Sequence, residues 1–160
     1  MKKISHLLMM AFVVLFTSCG AIKPKMSPEE LKAMTTRQFE HDKELVFKSV
    51  VALLQSEDFM IDHTNNITGK IQASKEIRNK NAGSERVLLG NAIDSNTARV
   101  TFKIDEIDSE LSEVQIKVYV TKKPSGGGYS IQNEGREEMI YSPEVYHSWF
   151  NNIRVTIRRQ

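Results

Sequence analysis

Length, composition and charge place this chain among ordinary folded proteins with one domain. It has 160 residues, of which 40% are hydrophobic and 26% are charged, and these proportions exclude a chain that is disordered throughout. The formal net charge is +2, but two of the basic residues, Lys2 and Lys3, lie in a segment that we expect to be removed. The remainder has equal numbers of basic and acidic side chains, so its charge gives no reason to expect a nucleic-acid partner.

The N-terminus has the three parts of an export signal. A short basic start is followed by residues 4–16, which are almost continuously apolar, and then by the small residues Thr17 and Ser18 before Cys19. The apolar run is shorter than the roughly 20 residues that a helix needs to cross the hydrocarbon core, so a transmembrane anchor is the weaker interpretation. Residues 1–18 are therefore predicted to be a cleaved signal peptide.

Residues 15–20 resemble the signal of bacterial lipoproteins, in which small residues lead to a cysteine that is acylated, for example with palmitate, and becomes the mature N-terminus. The resemblance implies lipidation of Cys19. This residue is the only cysteine of the chain and so has no internal disulfide partner. Several acyl chains would also give stable anchoring. The alternative is an ordinary secretory peptide with Cys19 as a passive neighbour of the cleavage site.

The residue after the cysteine indicates which membrane holds the protein. In lipoproteins of this type, an Asp at that position tends to retain the protein in the inner membrane of Gram-negative cells. Here the residue is Gly20. The resemblance therefore implies a lipid anchor in the outer membrane, with the protein facing the periplasm.

The rest of the chain is predicted to be a lipidated tether, residues 19–26, followed by a single α+β domain, residues 27–160. Ser27 and Glu30 form a capping-box pattern with Pro28 at the first helical position, which predicts a brief helix to about Ala33. Residues 35–40 are predicted to form a strand, and residues 43–56 a helix that is capped by Asp42 and has a wide apolar face. Residues 59–64 and 69–75 are predicted to form the two strands of a hairpin around two asparagines.

A polar stretch from Glu76 to Asn96 is predicted to be a long loop around one apolar patch. It is followed by the clearest alternation in the sequence, which predicts a hairpin of strands 100–104 and 114–120 across an acidic turn, residues 105–113. A glycine-rich turn, residues 124–128, and an edge strand within residues 129–140 come next. The chain ends with a helix opened by Ser142 and Pro143, whose predicted buried face is Tyr146, Trp149, Phe150, Ile153 and Ile157.

The order β-α-β-β-loop-β-β-(β)-α predicts an α+β fold, in which two main helices pack on one face of a single antiparallel sheet. Several phrases resemble a family of small, uncharacterised bacterial lipoproteins. That family is distantly similar to the domains of the C lipoprotein of the outer-membrane β-barrel assembly machinery. The phrases are Arg37-Gln38-Phe39-Glu40, residues 50–55 before Phe59-Met60-Ile61-Asp62, residues 69–75, and Pro143-Glu144-Val145-Tyr146 before Trp149-Phe150. They are packing patterns, and the resemblance implies no catalytic residues.

The search for reactive groups favours a protein that is not an enzyme. His41, His63 and His147 lack the spacing of zinc ligands, and no cofactor or metal site is predicted. Asp62 and His63 are neighbours on a predicted strand, so we expect them to point to opposite faces. The acidic residues 105–113 are interpreted as a solvated turn, with weak calcium binding as the alternative.

Two functional hypotheses follow for an anchored domain of this kind. The first is a non-catalytic scaffold or accessory binding subunit of the cell envelope, which docks a protein partner through a sheet edge or through the loop from Glu76 to Asn96. The second is a carrier or sensor that holds an apolar ligand between the C-terminal helix and a curved sheet. A cavity beside Trp149 would favour the carrier, whereas a solid core with an exposed apolar edge would favour docking.

Overall fold

Three helices of eight residues or more and six strands make up the part of the chain that the computed structural model describes, which is residues 26–77, 87–90, 97–122 and 136–160. In chain order these elements are α1 (Pro28–Thr35), β1 (Thr36–Phe39), α2 (Lys43–Ser56), β2 (Met60–Asn65), β3 (Lys70–Glu76), β4 (Thr97–Asp108), β5 (Leu111–Lys122), β6 (Arg136–Met139) and α3 (Pro143–Ile157). Their order and type confirm the predicted α+β fold.

The six strands form one antiparallel sheet, in which five follow the order β1-β5-β4-β3-β2 and β6 pairs with β5 beside β1. Strand β5 has β4 along the whole of one side. Its other side is shared, because β1 pairs with Ser112 to Gln115 and β6 pairs with Tyr119 to Lys122. Strand β2 pairs only with β3 among the described residues and forms the opposite edge of the sheet.

The helices begin where the sequence predicts them. The Ser27 hydroxyl accepts from the Glu30 backbone N–H at 3.2 Å, and the Glu30 carboxylate accepts from the Ser27 N–H at 2.8 Å, which completes the predicted capping box of α1. The Asp42 carboxylate caps α2 by accepting from the Leu45 N–H at 2.9 Å. The N-cap of α3, Ser142, makes no such bond, and its hydroxyl donates instead to the Glu144 carboxylate at 2.6 Å.

The C-terminal end of α2 turns the chain directly into the edge strand β2. Asp58 adopts a left-handed conformation with φ of 58°. The Phe59 N–H donates to the Leu54 carbonyl at 2.9 Å, which is the hydrogen bond that ends a helix in this way. Phe59 is thereby placed in the core, while Met60 begins β2 on the other face of the sheet.

The core lies between one face of the sheet and the helices α2 and α3. Alternate residues of β3, β4 and β5 point into it, as the two-residue period of a strand requires. The strand residues that are buried on this face are Ile71, Ala73, Ala98, Val100, Phe102, Ile104, Val114, Ile116, Val118 and Val120. The predicted buried face of the last helix is confirmed, since Tyr146, Trp149, Phe150, Ile153 and Ile157 are all buried.

Several predicted boundaries are wrong. Helix α1 continues to Thr35, and the two long strands run to Asp108 and from Leu111, so much of the predicted acidic turn belongs to strands. Within the predicted loop from Glu76 to Asn96, residues 87–90 form a helical turn that buries Leu88 and Leu89. The apolar patch of that segment is therefore part of the core. The predicted glycine-rich turn and residues 129–135 of the predicted edge strand lie outside the described residues.

Candidate functional site

The predicted lipidation site, Cys19, lies outside the described residues, together with the predicted signal peptide and residues 19–25 of the tether. The description of the chain begins at Met26, which packs against the core just before α1. Acylation of Cys19 therefore stays a prediction. Among the described residues, no helix combines the length and the apolar character needed to cross a membrane.

Trp149 is enclosed by other core side chains. It is 0% exposed, and its ring meets those of Phe59 and Phe102 edge to face, with 5.6 Å between the centroids in each pair. Its Nε1 donates to the Leu88 carbonyl at 3.0 Å, so the polar atom of the indole is satisfied inside the protein. The three clefts described below are all lined by other residues than Trp149. The aromatic face of α3 is thus used for packing.

Tyr146 joins α3 to the edge of β5 between the strands β1 and β6. Its hydroxyl donates to the Ile140 carbonyl at 2.8 Å and accepts from the Val118 N–H at 3.5 Å, while the Ile140 N–H donates to the Val118 carbonyl at 2.9 Å. Burial raises the pKa of Tyr146 from 10 to about 12, because the phenolate would lose its hydration. The Tyr146 side chain therefore covers the part of the β5 edge that lies between β1 and β6.

The histidines do not form a reactive cluster. His41 and His147 are exposed, and no group of three metal-ligating side chains able to hold a metal ion occurs among the described residues. The prediction that Asp62 and His63 point to opposite faces is wrong, because a β-bulge between Ile61 and His63 shifts the register. Asp62 accepts from the Ser74 hydroxyl at 2.9 Å, and both residues lie on the face away from the helices.

The acidic hairpin is also different from the prediction. Only Ser109 and Glu110 form the turn between β4 and β5, so the other carboxylates are fixed on strands, where Asp105 lies opposite Glu113. Lys103 forms an ion pair with Asp105, and Asp108 accepts from the Ser109 N–H at 2.7 Å. These are contacts within a solvated hairpin, and they converge on no common point.

The two most exposed apolar side chains of the described residues lie on the edge strand β2 and in the turn that follows it. Met60 opens this strand and is 74% exposed, and Ile67 lies in the turn that follows it and is 91% exposed. Lys43 of α2 donates to the Ile67 carbonyl at 2.9 Å, which fixes the position of that turn. The bulge at Asp62 separates the two apolar side chains. Most exposed apolar side chains need no explanation, but one on an unpaired strand edge and another in the turn that follows the strand mark a candidate contact surface.

The opposite edge carries a groove that the sequence analysis missed. Helix α1 continues into β1 with no loop between them, and beside the two elements lies a groove of 460 Å³, which we call the α1–β1 groove. It is lined by Glu29, Lys32, Ala33, Thr36, Arg37, Gln38 and Glu113. Each of these residues is of a type that is common at protein surfaces. Only the direct turn from a helix into a strand brings them together, so no pattern in the sequence marks them.

Two smaller clefts are also lined by described residues. One, of 260 Å³, is lined by Asp42, Lys43, Glu44, Asn66 and Glu106. The other, of 310 Å³, is lined by Gln38, Phe39, Glu40, His41, Arg154 and Arg158. Both mix charges of the two signs at the surface, and neither contains an aromatic or aliphatic lining of the kind that small apolar ligands require, apart from Phe39 in the second.

Comparisons with known proteins assign no family to this chain. No family model and no curated protein matches it. Among solved structures, the adenylate sensor from AMP-activated protein kinase, in complex with 5-aminoimidazole-4-carboxamide 1-beta-D-ribofuranotide, is similar with a TM-score of 0.40 and 10% sequence identity. The match covers 74% of this chain and 94% of that chain. A similarity at this level assigns neither a function nor a ligand.

Proposed function

We propose that this protein is a non-catalytic docking subunit of the bacterial cell envelope. It is held by a lipid on Cys19 in the outer membrane, faces the periplasm, and binds a protein partner through the free edge of its sheet. In this function the fold acts as a rigid support, and the lipid determines where the binding edge is placed.

The observation that carries the proposal is the pair of exposed apolar side chains, Met60 at the start of the edge strand β2 and Ile67 in the turn that follows it. An unpaired strand edge offers backbone N–H and C=O groups to a partner. The bulge at Asp62 interrupts the regular spacing of these groups, which disfavours pairing with a second copy of the same edge. A partner shaped to the bulge would gain both the apolar contacts and the backbone hydrogen bonds.

The packing of the core supports docking rather than carriage of an apolar ligand. The aromatic helix fills its space with Phe59, Phe102 and Leu88 around Trp149, and the indole N–H already has a partner. A ligand at that place would have to displace close-packed side chains, which costs several kcal/mol in a well-packed core, on the order of 3–5 kcal/mol for an aromatic ring.

The first experiment tests the anchor. The intact mass and the membrane fractionation of the native protein are measured beside those of a Cys19→Ala variant. We expect a mature chain that begins at Cys19, carries added acyl mass and sediments with the outer membrane, and we expect all three properties to be lost in the variant. A native chain that is unacylated and freely soluble would reject the anchored subunit.

The second experiment tests the docking edge in intact cells. A photoreactive benzophenone side chain is placed at position 60 and, in a separate strain, at position 155, where Val155 of α3 is also exposed, at 42%. We expect one discrete crosslinked partner from position 60 and none from position 155. Equal crosslinking from both positions, or none from position 60, would reject β2 as the docking edge.

A further inference from the structure

One row of side chains crosses the open face of the sheet, which is the face away from the helices α2 and α3. Partner residues of an antiparallel pair point to the same face, so the register of the strands places side chains in rows across the strands. The row consists of Met60, Ser74, Arg99, Tyr119 and Met139, each of which is the partner of the next. We call it the open-face row. It crosses four gaps between strands and is therefore roughly 19 Å long.

The open-face row has the composition of a protein interface. Tyr, Met and Arg are enriched at the cores of such interfaces, and Tyr and Arg are frequent among the residues that contribute most to binding. Ser74 is the one member of the row that belongs to none of these types. Met60 and Arg99 are exposed, and the other three members are half-buried, so the whole row is accessible to a partner.

The end of the row at β6 is aromatic, and its side chains are held in place. Tyr141 follows the buried Ile140 and is 43% exposed. Burial, and after it the neighbouring Glu137 carboxylate and Tyr141 hydroxyl, raise the pKa of Tyr119, so both groups lie near its ring. Arg99 forms an ion pair with Glu137 at 3.1 Å, which fixes its long side chain beside Tyr119. Side chains that are ordered beforehand lose less entropy when a partner binds.

The direction of the row determines which kind of element can cover it. A strand that is added at an edge of the sheet would contact only one end of a row that crosses the strands. A helix that lies along the row has a pitch of about 5.4 Å, close to the spacing of about 4.8 Å between strands, so it can place one side chain per turn over each strand. About 13 residues of helix cover the roughly 19 Å of the row. The row therefore fits the apolar face of an amphipathic helix.

A charge beside the row decides what lies next to this apolar face. Lys117 is on the open face of β5, two residues from Tyr119 and so about 7 Å away along the strand. It is half-buried and forms no ion pair with another described residue. The other members of its row are uncharged or histidine: His63, Gln72 and Thr101. An ammonium group in this position favours an acidic residue on the adjoining flank of the helix.

The carboxylates near the row lie at other places. Glu76 and Glu137 belong to the row on the side away from Lys117, and Glu137 is already in the ion pair described above. Asp62 lies at the β2 end, where it accepts from the Ser74 hydroxyl at 2.9 Å. An acidic flank is therefore opposed at these places and favoured beside Lys117, which determines the side of the helix that carries it.

We propose that the open-face row binds an amphipathic helix of a partner protein, which lies across the strands. Its apolar face covers Met60, Tyr119 and the neighbouring Tyr141, and an acidic residue on one flank pairs with Lys117. This inference rests on the proposed docking function and deepens it, because it names the element of the partner that reaches Met60. Docking then uses the open face from β2 to β6, and not the edge of β2 alone.

The first experiment uses the full-length, lipidated protein in detergent. The probe is a phage-displayed three-helix scaffold in which the exposed face of one helix is randomised over four turns. We expect enrichment of helices that have apolar residues at positions i, i+3 or i+4, i+7 and i+11, with Asp or Glu along one flank. The Kd of the most enriched scaffold is then measured by biolayer interferometry.

Variants of the protein separate this row from the rest of the surface. Tyr141→Ala removes an exposed ring, so we expect the Kd to rise about tenfold while the urea unfolding midpoint is unchanged. Lys117→Glu should also raise the Kd, and by less at high salt, because it opposes the acidic flank. Gln115→Ala is the matched control, since Gln115 lies on the same face of the same strand as Tyr119, two rows away. It should leave the Kd unchanged.

The second experiment is made in intact cells. The photoreactive benzophenone side chain is placed at position 141, where it replaces another aromatic ring. We expect it to capture the same partner as position 60. We also expect the crosslinked peptide, identified by mass spectrometry, to have apolar residues at helical spacing.

Five results would overturn the proposal. Three come from the probe: no helix enriched over the bare scaffold, an unchanged Kd in Tyr141→Ala, or an equal rise of the Kd in Gln115→Ala. The fourth is self-association that Tyr141→Ala abolishes, which would assign the row to a second copy of the chain. The fifth is crosslinking from position 60 without crosslinking from position 141, which would leave docking at β2 intact. Loss of crosslinking from position 60 as well would reject the proposed function itself.

Discussion

The two faces of strands β4 and β5 share one backbone and have opposite roles. On the face toward the helices, eight side chains are buried: Ala98, Val100, Phe102, Ile104, Val114, Ile116, Val118 and Val120. On the open face, the alternating residues are mostly polar and keep contact with water: Arg99, Thr101, Lys103, Gln115, Lys117 and Tyr119. Stability is thus concentrated on one face, and the residues on the other face and at the edges can serve binding at little cost to the fold.

The edges of the sheet extend this contrast. The side of β5 away from β4 is covered by two short strands, and between them Tyr146 bonds Val118 of β5 and Ile140, which follows β6. At the other end, β2 is left with exposed side chains and a bulge. The outer side of β5 is therefore covered by tertiary contacts. The edge at β2 is protected against pairing with other strands only by the bulge in its own backbone.

The largest expected effect comes from the centre of the covered face. Trp149→Ala removes a ring that is packed against Phe59 and Phe102, and it leaves the Leu88 carbonyl without its donor. We expect the free energy of unfolding in urea to fall by about 3–5 kcal/mol. Thr101→Ala, on the open face of β4, should cost less than about 1 kcal/mol. Equal losses of unfolding free energy in the two variants would contradict the conclusion that the covered face contributes most of the stability.

A second variant tests the turn that sets the register of the sheet. Gly69 has φ of 66°, and a Cβ built on it would lie 1.9 Å from the Ile104 backbone oxygen. The Ile104 N–H also donates to the Gly69 carbonyl at 2.9 Å. Gly69→Ala should therefore destabilise the protein by about 3 kcal/mol or more in thermal or urea unfolding.

Gly90 is the control for this effect. Its φ of 59° is similar, but an added Cβ would meet the Val145 side chain at 3.0 Å rather than backbone. Gly90→Ala should cost about 1–2 kcal/mol, since a side chain can shift and backbone paired in a sheet cannot. Equal losses at Gly69 and Gly90 would mean that the left-handed conformation, and not the close approach to β4, decides the cost.

A third variant tests the closure of the β5 edge. Tyr146→Phe leaves the Val118 N–H and the Ile140 carbonyl with one contact fewer, so we expect a loss of about 1–2 kcal/mol near neutral pH. In the native protein the folded-state pKa of about 12 lies above the ordinary value of 10, so the phenol contributes fully below pH 10. That contribution is lost as the pH rises toward 12.

Urea unfolding at a series of alkaline pH values measures this effect. The native protein should lose stability more steeply than Tyr146→Phe between pH 10 and pH 12. Because both proteins contain the same other titrating groups, the difference between their curves isolates Tyr146. Parallel curves would show that the hydroxyl is as well solvated in the folded protein as in the unfolded chain.

The smallest expected effect on stability is at the free edge. Met60→Ser should change the free energy of unfolding by less than about 0.5 kcal/mol, because the side chain is mostly exposed. Ile61→Ser is the matched variant on the same strand, and its side chain packs against the core, so it should cost about 1–3 kcal/mol. A large loss of stability in Met60→Ser would mean that this residue serves the fold and not a partner.

Local signals in the sequence were sufficient to predict the main elements and their order. Ser27 with Glu30, and Asp42, cap helices as predicted, because a cap depends on groups within three or four residues of one another. The alternation of β4 and β5 and the aromatic face of α3 likewise predict which residues are buried, since the periods of strands and helices are properties of the local backbone. The predicted export signal and the predicted acylation of Cys19 also rest on local sequence alone.

Only the tertiary structure decided where these elements end and what their surfaces can do. The bulge beside Asp62 and the length of the β4–β5 hairpin depend on pairing across strands, which a single strand does not record. The helical turn at 87–90 forms because Leu88 and Leu89 are buried, one of them beside Trp149, 61 residues away in the chain. The α1–β1 groove likewise depends on tertiary structure, since its lining comes from α1, β1 and the distant strand β5.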